Sequence, residues 1–144
     1  MEALKKRQYW EDYEIGDQWT SPARTITEAT VDLFAGLTGD FNSIHIDKEY
    51  AKRTPFGQRI AHGLLVGCIG IGLTTGLKNF YEDVAFKVLT SAKFDFKKPV
   101  FIGDTIKVVA KVTEKRETKN PERGLIVFER SIINQKDEVV QLLY

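Results

Sequence analysis

The sequence predicts an α+β domain in which one curved antiparallel sheet wraps around a long helix. Helical patterns are concentrated in the middle of the chain, whereas β-branched residues at near-alternate positions fill the second half. An uncharged, glycine-rich run over residues 60–77 separates the two. Segregated helices and strands are typical of the α+β class. The 144 residues contain no repeat, linker or low-complexity tract, so residues 1–144 are interpreted as a single domain.

The chain is expected to open with an edge strand followed by a capped helix. Residues 18–26 alternate, but Pro22 restricts them to an edge or bulged strand because proline cannot donate a hydrogen bond to a sheet. Thr27 is a suitable N-cap for the helix that follows, and Gly39 is suited to end it. The face of this helix that is expected to be buried carries Val31, Phe34, Ala35 and Thr38.

Two further helices are predicted in the middle of the chain. Asp47 can cap a short helix over residues 48–52, and Pro55 with Gly57 would stop it. Residues 60–77 are interpreted as a buried helix rather than a strand pair, although each of the five glycines costs about 1 kcal/mol relative to alanine. Close approach of a sheet to the helix axis would explain why such a cost is accepted.

The second half of the chain is predicted to form four antiparallel strands in meander order. Their residues are rich in β-branched and aromatic side chains at near period two. The strands are expected at residues 86–96, 105–113, 125–133 and 138–143. The charged residues 114–124 indicate a hairpin loop, and residues 135–137 indicate a tighter turn.

Composition excludes several classes of partner. The chain has 21 basic and 20 acidic side chains and a net charge of +1, so it lacks the broad positive surface needed for nucleic acid or an anionic membrane. Residues 60–77 approach membrane-spanning length, but His62 and the glycines favour a buried helix. We therefore expect neither a nucleic-acid partner nor a membrane partner.

A single cysteine and the N-terminal residues indicate a cytoplasmic protein. Cys68 cannot form an intrachain disulfide and lies in an apolar run, where we expect it to be a small core residue. The first seven residues carry basic side chains but no apolar segment follows them, unlike a secretory signal.

Asp40 and His45 are the candidate acid–base pair. They lie five residues apart in a turn-rich segment, close enough for the backbone to bring both side chains to one cavity. A histidine with a pKa of about 6.5 can take or give a proton near neutrality. Asn42, between them, could hydrogen-bond either group or hold the loop. This spacing is only a weak signal of catalysis. Taken alone, it favours structural roles for both residues.

Gly63 adds a candidate binding group at the start of the glycine-rich run. If the run is a helix, residues 61–64 form its first turn, where backbone N–H groups have no intrahelical partner. Such N–H groups can stabilise a developing oxyanion, and a glycine lets a ligand carbonyl approach. Packing of Gly63 against a strand explains the glycine equally well. The neighbouring His62 is expected to be structural.

Taken together, residues 39–45, 50–51 and 60–64 resemble the MaoC-like (R)-specific enoyl-CoA hydratase family, which has a hot-dog fold. The G-D-x-N-x-x-H pattern followed by Ala61-His62-Gly63 carries the resemblance. It extends over most of the chain, through residues 13–17, 98–100, 103–105 and 134–135. The family usually has proline where this chain has Ser43. Since proline fixes φ, Ser43 implies a looser approach to His45 and puts the substrate in question.

The resemblance implies that Asp40 and His45 are the catalytic pair, which activates water for addition to a trans-2-enoyl thioester. It implies that the Gly63 N–H binds the thioester oxygen and that Asn42 supports the pair. No metal or redox cofactor is expected, since CoA is part of the substrate. The substrate would be an acyl-CoA or an acyl-carrier-protein thioester.

The resemblance also implies a homodimer or a higher homo-oligomer, since a second copy would cover the exposed edges of a single curved sheet. Two alternatives to a hydratase remain. One is a hot-dog thioesterase, which commonly needs an acidic residue on the central helix, and residues 60–80 contain none. The other is a non-catalytic acyl-CoA-binding subunit. Six basic residues either meet CoA phosphates or, as we favour, are solvated: Lys97, Lys98, Lys115, Arg116, Lys119 and Arg123.

Overall fold

The computed structural model describes residues 9–77, 80 and 88–144. A short 3-10 helix, Trp10–Asp12, precedes the first strand. The helices are α1 (Glu28–Thr38), α2 (Ser43–Ile46), α3 (Lys48–Ala51) and α4 (Gly63–Thr75). The strands are β1 (Gln18–Thr20), β2 (Arg24–Thr25), β3 (Phe94–Phe96), β4 (Thr105–Glu117), β5 (Gly124–Ile133) and β6 (Val139–Leu143).

The predicted caps of α1 and α3 are confirmed. The Thr27 side chain accepts a hydrogen bond from the Thr30 N–H, and Gly39 ends α1 with a positive φ of 77°. Asp47 caps α3 by accepting from the Tyr50 N–H at 2.8 Å. These side chains and the glycine satisfy backbone groups that a helix end leaves unpaired, so the local sequence determines where both helices begin or end.

A glycine stripe on α4 faces the sheet. A Cβ atom on Gly63 would lie 2.5 Å from the Phe96 ring, and one on Gly70 would lie 2.6 Å from Ile132. Gly67 lies between them on the same face. The prediction that close approach of a sheet explains the glycines is confirmed for these three, whereas a Cβ on Gly72 would meet nothing within 4 Å.

The sheet has the strand order β1-β4-β5-β6-β3, with β2 also paired to β4. All the pairings are antiparallel. The predicted meander is therefore correct for β4, β5 and β6 but wrong for β3, which pairs with β6 instead of β4. The chain passes from β3 to β4 across the sheet, so neighbours in sequence are not neighbours in space. Strand periodicity predicts the strands but carries no information about this crossover.

Several strand boundaries differ from their prediction. Residues 18–26 split at Pro22 into β1 and β2, as expected of a strand that proline interrupts. In the predicted strand 86–96, residues 94–96 form β3 and residues 88–93 are irregular, while residues 86 and 87 lie outside the described part. β4 continues to Glu117 through residues predicted to be loop, because charged side chains are tolerated on its exposed end.

The hydrophobic core lies between α4 and the sheet. It includes Val66 and Ile69 of α4, Val108 of β4 and Ile132 of β5. Cys68 contradicts its prediction, because it is exposed on the side of α4 that faces away from this core. In the described part of the chain, no helix has the length and apolar character needed to cross a membrane.

Candidate active site

The loop after α1 positions Asp40. Its backbone N–H donates to the Thr38 hydroxyl, and its carboxylate accepts from the Asn42 N–H, both at 3.3 Å. Asn42 is the N-cap of α2, where its side chain accepts from the Ile44 N–H at 3.2 Å. Of the two roles considered for Asn42, the structure thus shows it holding the loop. The short helix α2 was not predicted, although Asn42 is a recognisable cap signal.

Helix α2 carries His45 toward residue 60. The His45 Nδ1 atom lies 2.8 Å from the Ile60 carbonyl oxygen. The Ile60 N–H in turn donates to the Ile44 carbonyl at 3.3 Å, which ties the helix to this segment. A carbonyl can only accept a hydrogen bond, so Nδ1 carries the proton. In the neutral imidazole, Nε2 is therefore the basic nitrogen.

The surroundings of His45 favour its neutral form. Partial burial lowers the pKa of His45 below its ordinary value of 6.5, and the nearby His62 lowers it as well. The hydrogen bond to Ile60 and the charge of Asp40 oppose this shift, but the net direction is downward. At neutral pH, His45 is thus a base ready to accept a proton.

His62 lies directly against His45. The two ring centroids are 3.8 Å apart with planes inclined by 30°. The buried His62 donates from Nε2 to the backbone carbonyl of Asp40 at 3.0 Å, so it fixes the Asp40 loop. Its Nδ1 is buried and has no hydrogen-bond partner among the described residues. The expected structural role fits this contact, but the stacking on His45 was not predicted.

Gly63 begins α4 immediately after His62. As the first residue of the helix, it donates no intrahelical hydrogen bond from its N–H. The Phe96 ring packs where a Gly63 side chain would project, so the packing explanation for this glycine agrees with the structure. Gly63 also lines the cavity described next.

A cavity of about 440 Å³ joins these residues. One wall carries Asp40, His45 and His62, and another is formed by residues of β3 and β6 that include Phe96 and Gln141. Of the six basic residues considered for CoA, Lys97 and Lys98 line this cavity. Such a volume is typical of pockets that hold small ligands. The structure therefore brings together Asp40, His45 and Gly63.

Asp40, His45 and His62 also form the group best suited to a metal ion within the described residues. Their candidate ligand atoms all lie within 4.8 Å of one another. Each histidine places one ring nitrogen on a backbone carbonyl and keeps the other nitrogen as an acceptor. The expectation of a metal-free site remains a prediction.

Ser43 is the first residue of α2. The first position of a helix readily accepts proline, because its N–H has no intrahelical partner and its φ suits the ring. This position gives a physical reason for the proline that the resembling family usually has here. Ser43 forms the same helix without that preset φ.

Comparison with known proteins identifies the family. The model of the MaoC-like domain matches residues 13–129. The chain belongs to the MaoC-like family. It is 44% identical over 106 residues to a protein from Rhodospirillum rubrum named (R)-specific enoyl-CoA hydratase, which covers 73% of this chain and 69% of the relative. It is 40% identical over 107 residues to the 3-hydroxybutyryl-CoA dehydratase of Methylorubrum extorquens, covering 74% of this chain and 64% of the relative.

Solved structures confirm the MaoC-like fold. A structure titled monoamine oxidase regulatory protein, from Archaeoglobus fulgius, is 34% identical with a TM-score of 0.86, covering 98% of this chain and 94% of that one. A Mycobacterium tuberculosis protein described as a double hot-dog fold is 21% identical with a TM-score of 0.74, covering 94% of this chain and 42% of that one. The predicted α+β hot-dog class is confirmed.

Proposed function

We propose that this MaoC-like protein adds water to a trans-2-enoyl thioester to give the (R)-3-hydroxyacyl thioester, or catalyses the reverse dehydration. The observation that carries the proposal is the convergence of Asp40, His45 and Gly63 on one cavity. The relatives named as an enoyl-CoA hydratase and a hydroxyacyl-CoA dehydratase support the same reaction in its two directions.

The pair moves one proton from a water molecule to the α-carbon of the substrate. The neutral His45 Nε2 takes a proton from water as its oxygen bonds to C3 of the substrate. The π electrons of the double bond move toward the thioester oxygen. The water keeps its other hydrogen in the new hydroxyl. The proton that His45 has taken passes, with the help of Asp40, to the α-carbon as the C=O bond re-forms, and His45 becomes neutral again. The reaction requires no electron donor or acceptor.

Gly63 stabilises the negative charge that develops on the thioester oxygen. Its N–H lies at the positive end of the α4 dipole, where anionic groups are favoured. Removing one such donor costs enzymes about 10²–10³-fold in rate. His62 holds the Asp40 backbone and packs against His45, so it positions both members of the pair.

The alternatives fit less well. A thioesterase of the kind that uses an acidic residue on the central helix would find no Asp or Glu in α4. A non-catalytic binding subunit would have no need for a neutral histidine base next to a carboxylate. Lys97 and Lys98 lie at the cavity and suit the phosphates of CoA or of an acyl carrier protein, although Lys98 is also 2.7 Å from Glu138.

We further propose that the protein acts as a homodimer. Among the described strands, β3 lies at an edge of the sheet, and edge strands pair readily with a second chain. The outward face of α4 also leaves Leu64 about half exposed (52%) next to the exposed Cys68. Sedimentation or scattering at working concentration should show twice the 16.4 kDa mass of the chain, and a stable monomer would contradict this.

The proposed reaction is tested by following loss of the conjugated double bond of crotonyl-CoA, with chiral analysis of the product. We expect the (R)-3-hydroxy thioester. Release of the CoA thiol with the double bond intact would indicate a thioesterase. Saturable binding without either reaction would indicate a non-catalytic subunit.

A further inference from the structure

The cavity wall formed by the sheet contains a buried polar side chain to which nothing described so far gives a function. Gln141 is 98% buried, since only 2% of its surface is exposed, and it lines the cavity. Its Nε2 atom is buried and has no hydrogen-bond partner among the described residues. A buried amide without a partner costs free energy, so its retention at this position calls for an acceptor that arrives with a ligand.

Gln141 lies on the buried face of β6, next to a bulge. Ile132 pairs with Gln141 and Ile133 pairs with Val139, so β6 has one extra residue, Val140. Regular alternation would place Val140 and Gln141 on opposite faces, but both are buried and both line the cavity. Bulges commonly re-aim a side chain next to an active site. The bulge therefore turns Val140 onto the buried face beside Gln141, whereas Gln141 itself lies there by its regular pairing with Ile132.

Cross-strand pairing fixes the position of Gln141 along α4. The residues Phe96, Gln141 and Ile132 form one row across β3, β6 and β5. Phe96 packs at Gly63, Ile132 packs at Gly70, and the Gln141 Nε2 atom lies 2.8 Å from where a Gly67 Cβ would be. Gly67 is about one helical turn from Gly63, so the amide lies roughly 6 Å along α4 from the proposed oxyanion site.

We infer that the acyl chain of the substrate carries a neutral oxygen acceptor near its fifth position, which accepts a hydrogen bond from Gln141 Nε2. This inference rests on the proposed function and adds the substrate class. An extended acyl chain whose thioester oxygen is bound at Gly63 reaches Gln141 near this fifth position. The oxygen is neutral because the wall around Gln141 is built of apolar side chains such as Val66 and Val140, where one neutral donor does not compensate for burying a carboxylate.

The test uses two substrates that differ by one atom. In 4-methoxy-trans-2-butenoyl-CoA an ether oxygen replaces C5 of trans-2-hexenoyl-CoA. We expect the native protein to favour the ether about three- to tenfold in kcat/KM, the effect of one neutral hydrogen bond. Gln141→Leu should abolish or reverse this preference, and Gln141→Met provides a second apolar variant of similar length. Any intrinsic difference in reactivity cancels when the ratio is compared between variants.

A binding measurement separates this inference from the proposed reaction. Calorimetry with the saturated pair, 4-methoxybutanoyl-CoA and hexanoyl-CoA, requires no turnover. Tighter binding of the ether by the native protein, lost in the variants, supports the inference even if no enoyl thioester is hydrated. Equal ratios in native protein and Gln141→Leu would show that Gln141 is a packing residue, and this would overturn the inference. Should both variants fail to fold, weaker binding of the ether than of hexanoyl-CoA by the native protein alone would also overturn it.

Discussion

The two walls of the cavity are built in different ways. The polar wall, made of Asp40, His45 and His62, comes from residues close together in sequence and fixed by caps and backbone hydrogen bonds. The sheet wall, which includes Phe96 and Gln141, comes from residues 45 positions apart that strand register brings together. In our proposals, the local wall carries the chemistry and the wall set by tertiary structure selects the acyl chain.

The largest expected effect lies on the polar wall. Asp40→Asn and His45→Gln should each lower kcat for crotonyl-CoA hydration by about 10²–10⁴-fold, because each removes a proton-transfer group. Circular dichroism should show that both variants fold. The matched control is Glu122→Gln, an exposed carboxylate in the loop before β5, whose rate should equal that of the native protein. A native rate in either site variant would remove the polar wall from the mechanism.

The sheet wall is tested through the glycine stripe. Gly67→Ala should destabilise the protein by about 1–3 kcal/mol, because the added methyl overlaps the Phe94 ring and Gln141. Gly72→Ala is the control in the same helix, where nothing lies within 4 Å; it should stabilise the protein by about 0.5–1 kcal/mol. Urea unfolding of both variants measures the difference. Equal effects would mean that α4 does not approach the sheet as described.

A smaller effect concerns the protonation of His45. Its pKa is lowered by burial, so the imidazole stays neutral down to a pH below 6.5. The loss of kcat/KM on the acid side should therefore occur at a pH below 6.5. The same shift means that stability is present above pH 6.5 and is lost as the pH falls through the folded pKa. Proton NMR can follow the titration, because the chain has only two histidines. An apparent pKa at or above 6.5 for His45 would contradict the assignment.

The His62→Phe variant tests the cause of the lowered pKa of His45. Phenylalanine keeps a ring against His45 but cannot donate to the Asp40 carbonyl. Because His62 lowers the pKa of His45, its removal should move the acid limb toward higher pH, and loss of the anchor should lower kcat about tenfold. A variant that loses stability but keeps the native pH profile would show that His62 is only structural.

These results show which features the sequence can predict. The caps Thr27 and Asp47 and the turn at Gly39 depend on neighbouring residues, and each lies where local rules placed it. Asp40 and His45 line one cavity, as their spacing allowed, but their catalytic role came from the family resemblance and stays a prediction. The glycine spacing in α4 also predicts close contact with a sheet, since positions 63, 67 and 70 share one helix face.

Other features depend on partners that are distant in sequence. The pairing of β3 with β6 and the bulge at Val140 are set by how the strands assemble, so alternation within each strand gave the wrong neighbour for β3 and no sign of Gln141 as a cavity residue. Cys68 was expected in the core because its neighbours are apolar. Cys68 lies on the outward face of α4 because its position in the helical turn points away from the glycine stripe. The spacing of Cys68 from these glycines could have been read from the sequence.

The central claim is that Asp40 and His45 act on the same water molecule, and a double-mutant cycle tests it most directly. Groups that act as a unit have strongly non-additive effects. With crotonyl-CoA, the Asp40→Asn/His45→Gln double variant should therefore be about as slow as the slower single variant. If the two losses instead multiply, the residues act independently and the shared-water account is contradicted.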